Sequence, residues 1–166
     1  MLILGIDPGT ATTGYGLVEV NGHGIMAKDW GLIETDKENN PGLRLITIYK
    51  ELSTILKTHR PDVVVIEKLF FATNAKTAIR VGQAQGVMLY CAAVFNTDVF
   101  EYAPGTIKKV VSGDGRADKK QMQRSIREVF GVKVRSGKRK RTHFDNAADA
   151  LAVALCHAWQ TEPKTK

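Results

Sequence analysis

Two apolar runs in this chain each end on an acid. Leu2-Ile3-Leu4-Gly5-Ile6 closes on Asp7-Pro8-Gly9, and Val63-Val64-Val65-Ile66 closes on Glu67. Each run is short and bounded by a breaker or a polar loop, as in strands buried on both faces, so each carboxylate stands where the chain leaves the core. A further polar group lies near the C-terminus, where Asp149 follows Asp145 by four residues and Asn146 by three. On a helix those spacings hold all three side chains within about a third of the circumference. Taken alone, Asp7 reads equally well as the opening of an Asx-type turn before Pro8. What decides is whether the other carboxylates converge on it.

Carboxylates gathered within a few ångströms raise one another's pKa or demand a cation. A hard divalent ion fits such a set. Mg²⁺ takes oxygen ligands and keeps waters, and two such ions about 3.5–4 Å apart would activate water and stabilise the leaving oxygen in phosphodiester hydrolysis. Zinc chemistry lacks its ligands: His23, His59, His143 and His157 form no HExxH, and no cysteine stands at metal spacing. Only His143 is close in sequence to the acidic group.

The intervening chain supplies the elements that must position these groups. After Gly9, Thr12 to Val20 has strand composition, Asn21-Gly22 signals a hairpin, and a partner strand is expected over roughly Ile25 to Thr35. Short turns make these three strands an antiparallel meander. Leu45, Ile48, Tyr49, Leu52, Ile55, Leu56 and His59 repeat at helical spacing after Pro41-Gly42. A helix here implies a right-handed crossover, so the strand ending at Glu67 runs parallel to the one ending at Asp7, with both acids at one edge.

A second helix is expected over Asn74 to Phe95, with Ala75, Ile79, Gly82, Gly86, Tyr90 and Val94 among its apolar or small positions. Its two glycines, one turn apart, suggest close approach of another helix or subunit, or tight packing on its own sheet. Val99 to Tyr102 reads as a fifth strand stopped by Pro104-Gly105, and Thr106 to Val111 as a helical turn. Asp118 to Phe130 is a third longer helix with Met122, Ile126 and Val129 inward. Phe144 to Trp159 is the last, its inward face formed by Phe144, Ala147, Ala148, Leu151, Leu155 and Trp159. The order predicts an α/β chain with a mixed five-stranded sheet, three antiparallel strands followed by parallel ones, and helices on both faces.

With 166 residues the chain suits one domain, here residues 1–160, followed by a polar tail over 161–166. No apolar stretch reaches membrane-span length and no export signal precedes the first strand, so a cytoplasmic protein without a membrane partner is expected. Cys91 and Cys156 lie in helix-like apolar patterns and read as reduced core residues. The formal charge of +7 and pI near 9.5 favour a polyanionic partner, with nucleic acid the leading choice. Six of the basic residues fall between Lys133 and Arg141. Such a run reads as a solvated, phosphate-attracting loop with no assigned contact.

Several segments together resemble one family. Gly5-Ile6-Asp7-Pro8-Gly9, Val65-Ile66-Glu67-Lys68-Leu69-Phe70-Phe71, Gly82-Gln83-Ala84-Gln85-Gly86, Phe100-Glu101-Tyr102-Ala103-Pro104 and Ala148-Asp149-Ala150-Leu151-Ala152 are similar, in order, to the RuvC family of crossover junction endodeoxyribonucleases. The resemblance runs to about Trp159. It implies a ribonuclease-H-like fold, a homodimer, and Mg²⁺-dependent paired nicking of four-way (Holliday) junctions in recombination and repair. It further implies two metal ions per site, with Mn²⁺ as a substitute, and the RuvA and RuvB branch-migration proteins as partners.

By this resemblance Asp7, Glu67 and Asp149 match three catalytic, metal-binding acids. At the fourth such position, where the family has Asp or in some members His, this chain has Asn146. Asn offers a neutral carbonyl oxygen and cannot act as a base. Either Asp145 or His143 compensates, or the chain binds junctions without cutting them efficiently. Phe70 matches an aromatic wedge that stacks on opened bases, and Phe71 beside it is a second DNA-binding candidate, with one of the adjacent pair expected inward and one outward. Lys108 and Lys119 match basic positions near the scissile phosphate, while Lys76 and Arg80, one turn apart, are further phosphate-binding candidates. The competing readings are a ribonuclease-H-type nuclease on RNA–DNA hybrids and an inactive junction-binding protein. An actin-like or sugar-kinase lobe shares the early Asp-Pro-Gly-Thr but needs a second lobe that 166 residues do not supply.

Overall fold

The computed structural model describes residues 1–36, 38–69, 75–131 and 141–161, with 141–146 described by their backbone alone. Its elements are β1 (Leu2–Asp7), β2 (Thr12–Asn21), β3 (Gly24–Glu34), α1 (Pro41–His59), β4 (Val63–Glu67), α2 (Ala75–Val94), β5 (Asp98–Tyr102), α3 (Pro104–Ser112), α4 (Lys119–Phe130) and α5 (Arg141–Thr161). The strands form one sheet in the order β3-β2-β1-β4-β5. β1, β2 and β3 are the expected antiparallel meander, and β1, β4 and β5 are parallel. Among the described residues no helix is long and apolar enough to cross a membrane.

Alternation along each strand sorts the side chains into two layers. Leu4, Ile6, Val64 and Ile66 face one way and pack with Ile48, Leu52 and Leu56 of α1 and Ala84, Met88 and Cys91 of α2. Ile3, Val63 and Val65 face the other way, onto α5 and, beyond it, Ile107, Met122 and Ile126 of α3 and α4. Gly5 and Asp7 share this second face with Ile3, and Glu67 shares it with Val65.

Two glycines let α5 sit close to the sheet. A Cβ on Gly5 would lie 2.2 Å from the Ala150 carbonyl oxygen, and one on Gly16 would lie 2.9 Å from Leu151. The alanines of α5 complete the close approach. Contrary to the single inward face expected for this helix, it is buried nearly all round over residues 147–158, because the sheet covers one side while α3 and α4 pack on others. Among residues 147–158 only Asp149 escapes full burial.

Two of the helices start from side-chain caps. Asn40 accepts a hydrogen bond from the Leu43 amide (2.9 Å) at the start of α1, and Asp118 forms a reciprocal capping box with Gln121 at the start of α4. The second of these fixes Lys119 at the first position of its helix. Cys91 and Cys156 are free and buried, as expected.

α2 departs from a simple amphipathic reading. Its buried positions are Ala84, Gln85, Met88, Cys91 and Ala92, whereas Ile79 and Tyr90 are each 63% exposed and Val94 is 48% exposed. Among the described residues a Cβ on Gly86 would meet no atom within 4 Å, and one on Gly82 would meet only Leu69 at 3.9 Å. The glycines therefore do not serve packing on the chain's own sheet. The stripe Ile79, Gly82, Gly86, Tyr90 faces away from the core.

Candidate active site at the carboxyl edge of the sheet

β1 and β4 are paired in register from Ile3 opposite Val63 to Ile6 opposite Ile66, so Asp7 and Glu67 are the next residues on adjacent strands. Neighbouring strands are about 4.8 Å apart, and both side chains rise on the face covered by α5. The turn that follows is tight: a Cβ on Gly9 would collide with the Thr12 carbonyl oxygen at 2.1 Å, and the Thr13 hydroxyl donates to the Gly9 carbonyl at 2.7 Å. Asp7 is thus held by β1 on one side and by a cross-braced turn on the other.

Asp149 reaches the same place from above. Because α5 crosses β1 at Gly5, the residue preceding Ala150 lies over the end of that strand. Asp7, Glu67 and Asp149 line one cleft of about 290 Å³, together with Lys108 and Lys119 and the apolar wall formed by Pro104, Ile107 and Met122. The Lys119 Nζ lies 3.4 Å from Asp149 Oδ2.

The electrostatics of the cleft match its composition. Asp7 is pushed up from 3.8 to about 7, first by burial and then by the charges of Glu67 and Asp149, with Lys119 pulling the other way. Glu67 is likewise raised, chiefly by burial and then by Asp149, and lowered by Lys108. Asp7 and Glu67 are therefore short of positive charge, and the Lys119 ammonium lies beside the third acid, Asp149. Such an oxygen-only donor set fits a hard divalent cation. Among the described residues no three His, Cys, Asp or Glu side chains are drawn together as tightly as a ligand shell.

The sequence-predicted residues divide into three groups. Asp7, Glu67, Asp149, Lys108 and Lys119 come together in this cleft. Arg80 does not join them; it lines a separate cleft between α1 and α2. Lys76 is exposed near the start of α2 and does not line the acidic cleft. Phe70 and Phe71, the side chains of His143, Asp145 and Asn146, and the basic stretch over 133–141 lie outside the described residues. The apolar wall was not singled out from sequence, although Ile107 precedes Lys108 directly on a helix that starts just past the carboxyl end of a parallel strand. That position alone marks it as a cleft residue.

A β3-β2-β1-β4-β5 sheet with carboxylates on the ends of β1 and β4 and on a helix laid across them defines the class of ribonuclease-H-like nucleases. Comparison with known proteins narrows it. The family model described as crossover junction endodeoxyribonuclease RuvC matches residues 3–157, and the chain belongs to that family. It is similar to the RuvC of Caldicellulosiruptor saccharolyticus, 43% identical over 95% of this chain and 92% of that protein. The RuvC of Alkaliphilus oremlandii is 46% identical over 95% of this chain and 93% of its own length. Among solved structures, Thermus thermophilus RuvC superposes with a TM-score of 0.83 at 30% identity, covering 97% of this chain and 95% of that one. The same protein in complex with a Holliday junction substrate superposes with a TM-score of 0.85 at 29% identity, over 97% and 94% of the two chains. The chain is accordingly a nuclease of a family that uses divalent metal.

Proposed function

We propose that this chain cuts four-way DNA junctions by metal-assisted hydrolysis, with Asp7, Glu67 and Asp149 as the metal-holding acids and Asn146 at a fourth ligand position. The observation that carries this reading is the convergence of Asp7, Glu67 and Asp149 in one electron-rich cleft rimmed by Lys108 and Lys119. Mg²⁺, in two sites, is the cation best suited to such oxygen ligands, and Mn²⁺ can replace it. When bound it supplies charge neutralisation and a nucleophilic water for in-line attack on phosphorus. The protein's own part is positional. β1 and β4 fix two carboxylates one strand spacing apart, α5 brings the third, and Lys108 and Lys119 offer ammonium groups to phosphate oxygens entering the cleft. Phe70, three residues beyond Glu67, belongs to this reading as the base-stacking wedge.

Paired nicks on a two-fold substrate call for two sites related by two-fold symmetry. The outward stripe of α2, with Ile79, Tyr90 and Val94 exposed and open space above Gly86, suits a second copy of this chain. Gly86→Arg is expected to convert the protein from dimer to monomer in sedimentation equilibrium without lowering its melting temperature by more than a few degrees. A dimer of unchanged affinity would remove this face from consideration. RuvA and RuvB complete the reading as partners acting on the same junction in the cytoplasm.

The test is junction cleavage in Mg²⁺ by this chain beside Asn146→Asp, with linear duplex and an RNA–DNA hybrid as competitors. A carboxylate at position 146 is expected to raise the cleavage rate at least about tenfold, since a neutral carbonyl oxygen is replaced by a charged ligand and potential base, while metal-free junction binding stays within about twofold. Equal rates for the two proteins would mean that position 146 carries no metal ligand. Tighter binding to the hybrid than to the junction would favour ribonuclease-H-type activity instead.

A further inference from the structure

We propose that a second backbone phosphate of the strand being cut is held in the cleft between α1 and α2, by the guanidinium groups of Arg44 and Arg80. The inference rests on the reading of the chain as a junction nuclease and adds a contact to it. This cleft, of about 160 Å³, lies on the opposite face of the sheet from the acidic one, and its polar lining is Thr10, Asn39, Arg44, Arg80 and Gln83. No carboxylate is among those lining residues. Two guanidinium groups sharing one cleft repel each other until an anion lies between them, and the planar fork of Arg matches phosphate oxygens. Among the described residues neither Arg44 nor Arg80 has an ion-pair partner.

Arg44 is held in place before any ligand arrives. Its Nε donates to the Thr35 hydroxyl oxygen at 2.9 Å, and the Thr35 hydroxyl donates in turn to the Thr10 carbonyl oxygen at 2.5 Å. The Thr35 amide also donates to the Ala11 carbonyl oxygen at 3.0 Å. Thr35 itself is 8% exposed. This network ties Nε of Arg44 to the turn that follows Asp7 and leaves the terminal nitrogens for a ligand, so both clefts are braced by one short segment. Thr10 is three residues from Asp7, a chain distance of at most about 11 Å. The Arg44 guanidinium lies two hydrogen bonds beyond Thr10 and successive phosphates of a strand are farther apart than their axial rise of about 3.4 Å, so a strand crossing this edge of the sheet places a phosphate roughly two or three nucleotides from the cut within reach of the arginines.

Fluorescence anisotropy in EDTA, on junctions carrying one uncharged methylphosphonate at successive positions around the cut, tests this. The full chain is expected to lose about tenfold in affinity at one position two or three nucleotides from the cut. On the unmodified junction Arg44→Ala and Arg80→Ala are each expected to lose about tenfold and to flatten the salt dependence by about one phosphate contact. In each variant the methylphosphonate at that position is expected to cost less than in the parent, because one arginine remains, and in the double Ala variant it is expected to cost nothing further. Arg80→Ala removes no hydrogen bond found among the described residues, so its melting temperature should match that of the parent. Arg44→Lys keeps the charge and loses the fork, and should fall between parent and Arg44→Ala. Unchanged affinity and salt slope in Arg80→Ala, or a methylphosphonate penalty that stays undiminished in both Ala variants, overturns the proposal. If the parent binds junction and linear duplex equally, the functional reading fails, and the same scan on the duplex still decides whether the arginines hold a phosphate.

Discussion

Asp7→Asn is expected to lower junction cleavage by at least about 10³-fold while leaving metal-free junction binding within a few-fold, because it removes the charge proposed to hold metal and leaves the shape of the cleft. The same substitution is expected to stabilise the metal-free protein at alkaline pH. The carboxyl of Asp7 is raised from 3.8 to about 7, chiefly by burial and then by Glu67 and Asp149. Below pH 3.8 the group is neutral in both folded and unfolded chains. Between that value and about 7 the unfolded chain releases its proton while the folded chain keeps it, so the group's contribution to stability is lost as pH rises through this window. At pH 8 the ionised carboxylate costs the folded state on the order of 2–4 kcal/mol, which asparagine does not.

In EDTA at pH 8, Asp7→Asn should therefore melt roughly 5–10 °C above the parent, with the gap closing toward pH 4. Adding Mg²⁺ should raise the melting temperature of the parent much more than that of the variant, since the cation binds the folded carboxylates and not the unfolded chain. Calorimetry of the two proteins across that pH range, with and without metal, reads both effects. Parent and variant melting together at pH 8 in EDTA would show that Asp7 carries no such burden.

Gly5→Ala is the second substitution with a large expected effect, and it acts through backbone contact alone. Its new methyl would stand 2.2 Å from the Ala150 carbonyl oxygen and 2.6 Å from the Ala154 nitrogen, atoms that no rotamer change can move. Either α5 lifts from the sheet or β1 shifts, and overpacking of this kind costs about 3 kcal/mol or more. Lifting α5 carries Asp149 away from Asp7 and Glu67, so activity should fall about 10²-fold or more even in the fraction that folds. Urea unfolding and single-turnover cleavage measure the two losses separately. A variant with parental stability would place α5 farther from β1 than the collision distance allows.

Much of this organisation was legible in the sequence because it is local. Period-two and period-3.6 patterns mark strands and helices wherever one face is apolar, and short turns and helical crossovers fix strand direction. The acids at the ends of β1 and β4 could be placed at one edge on that basis alone, and Lys108 and Lys119 followed from the family resemblance. Periodicity records which residues are apolar and not how many neighbours cover an element. The last helix read as having one inward face, yet it is wrapped on several sides, because α3 and α4 close over it only in three dimensions. For the same reason Ile79, Gly82, Gly86 and Tyr90 of α2 could be matched equally well to the sheet or to another subunit. Only the fold turned them outward.

The sequence by itself determined that Asp7 and Glu67 leave a buried parallel pair side by side, since strand direction and alternation are properties of the chain. Tertiary structure decided that Asp149 joins them, because that depends on α5 pressing against Gly5 and on Ala148 and Ala150 beside Asp149 being covered. It also separated Arg80 from the acidic cleft and set it opposite Arg44, thirty-six residues earlier in the chain. Contacts between residues so far apart depend on which faces two helices turn toward each other, and that is a property of packing.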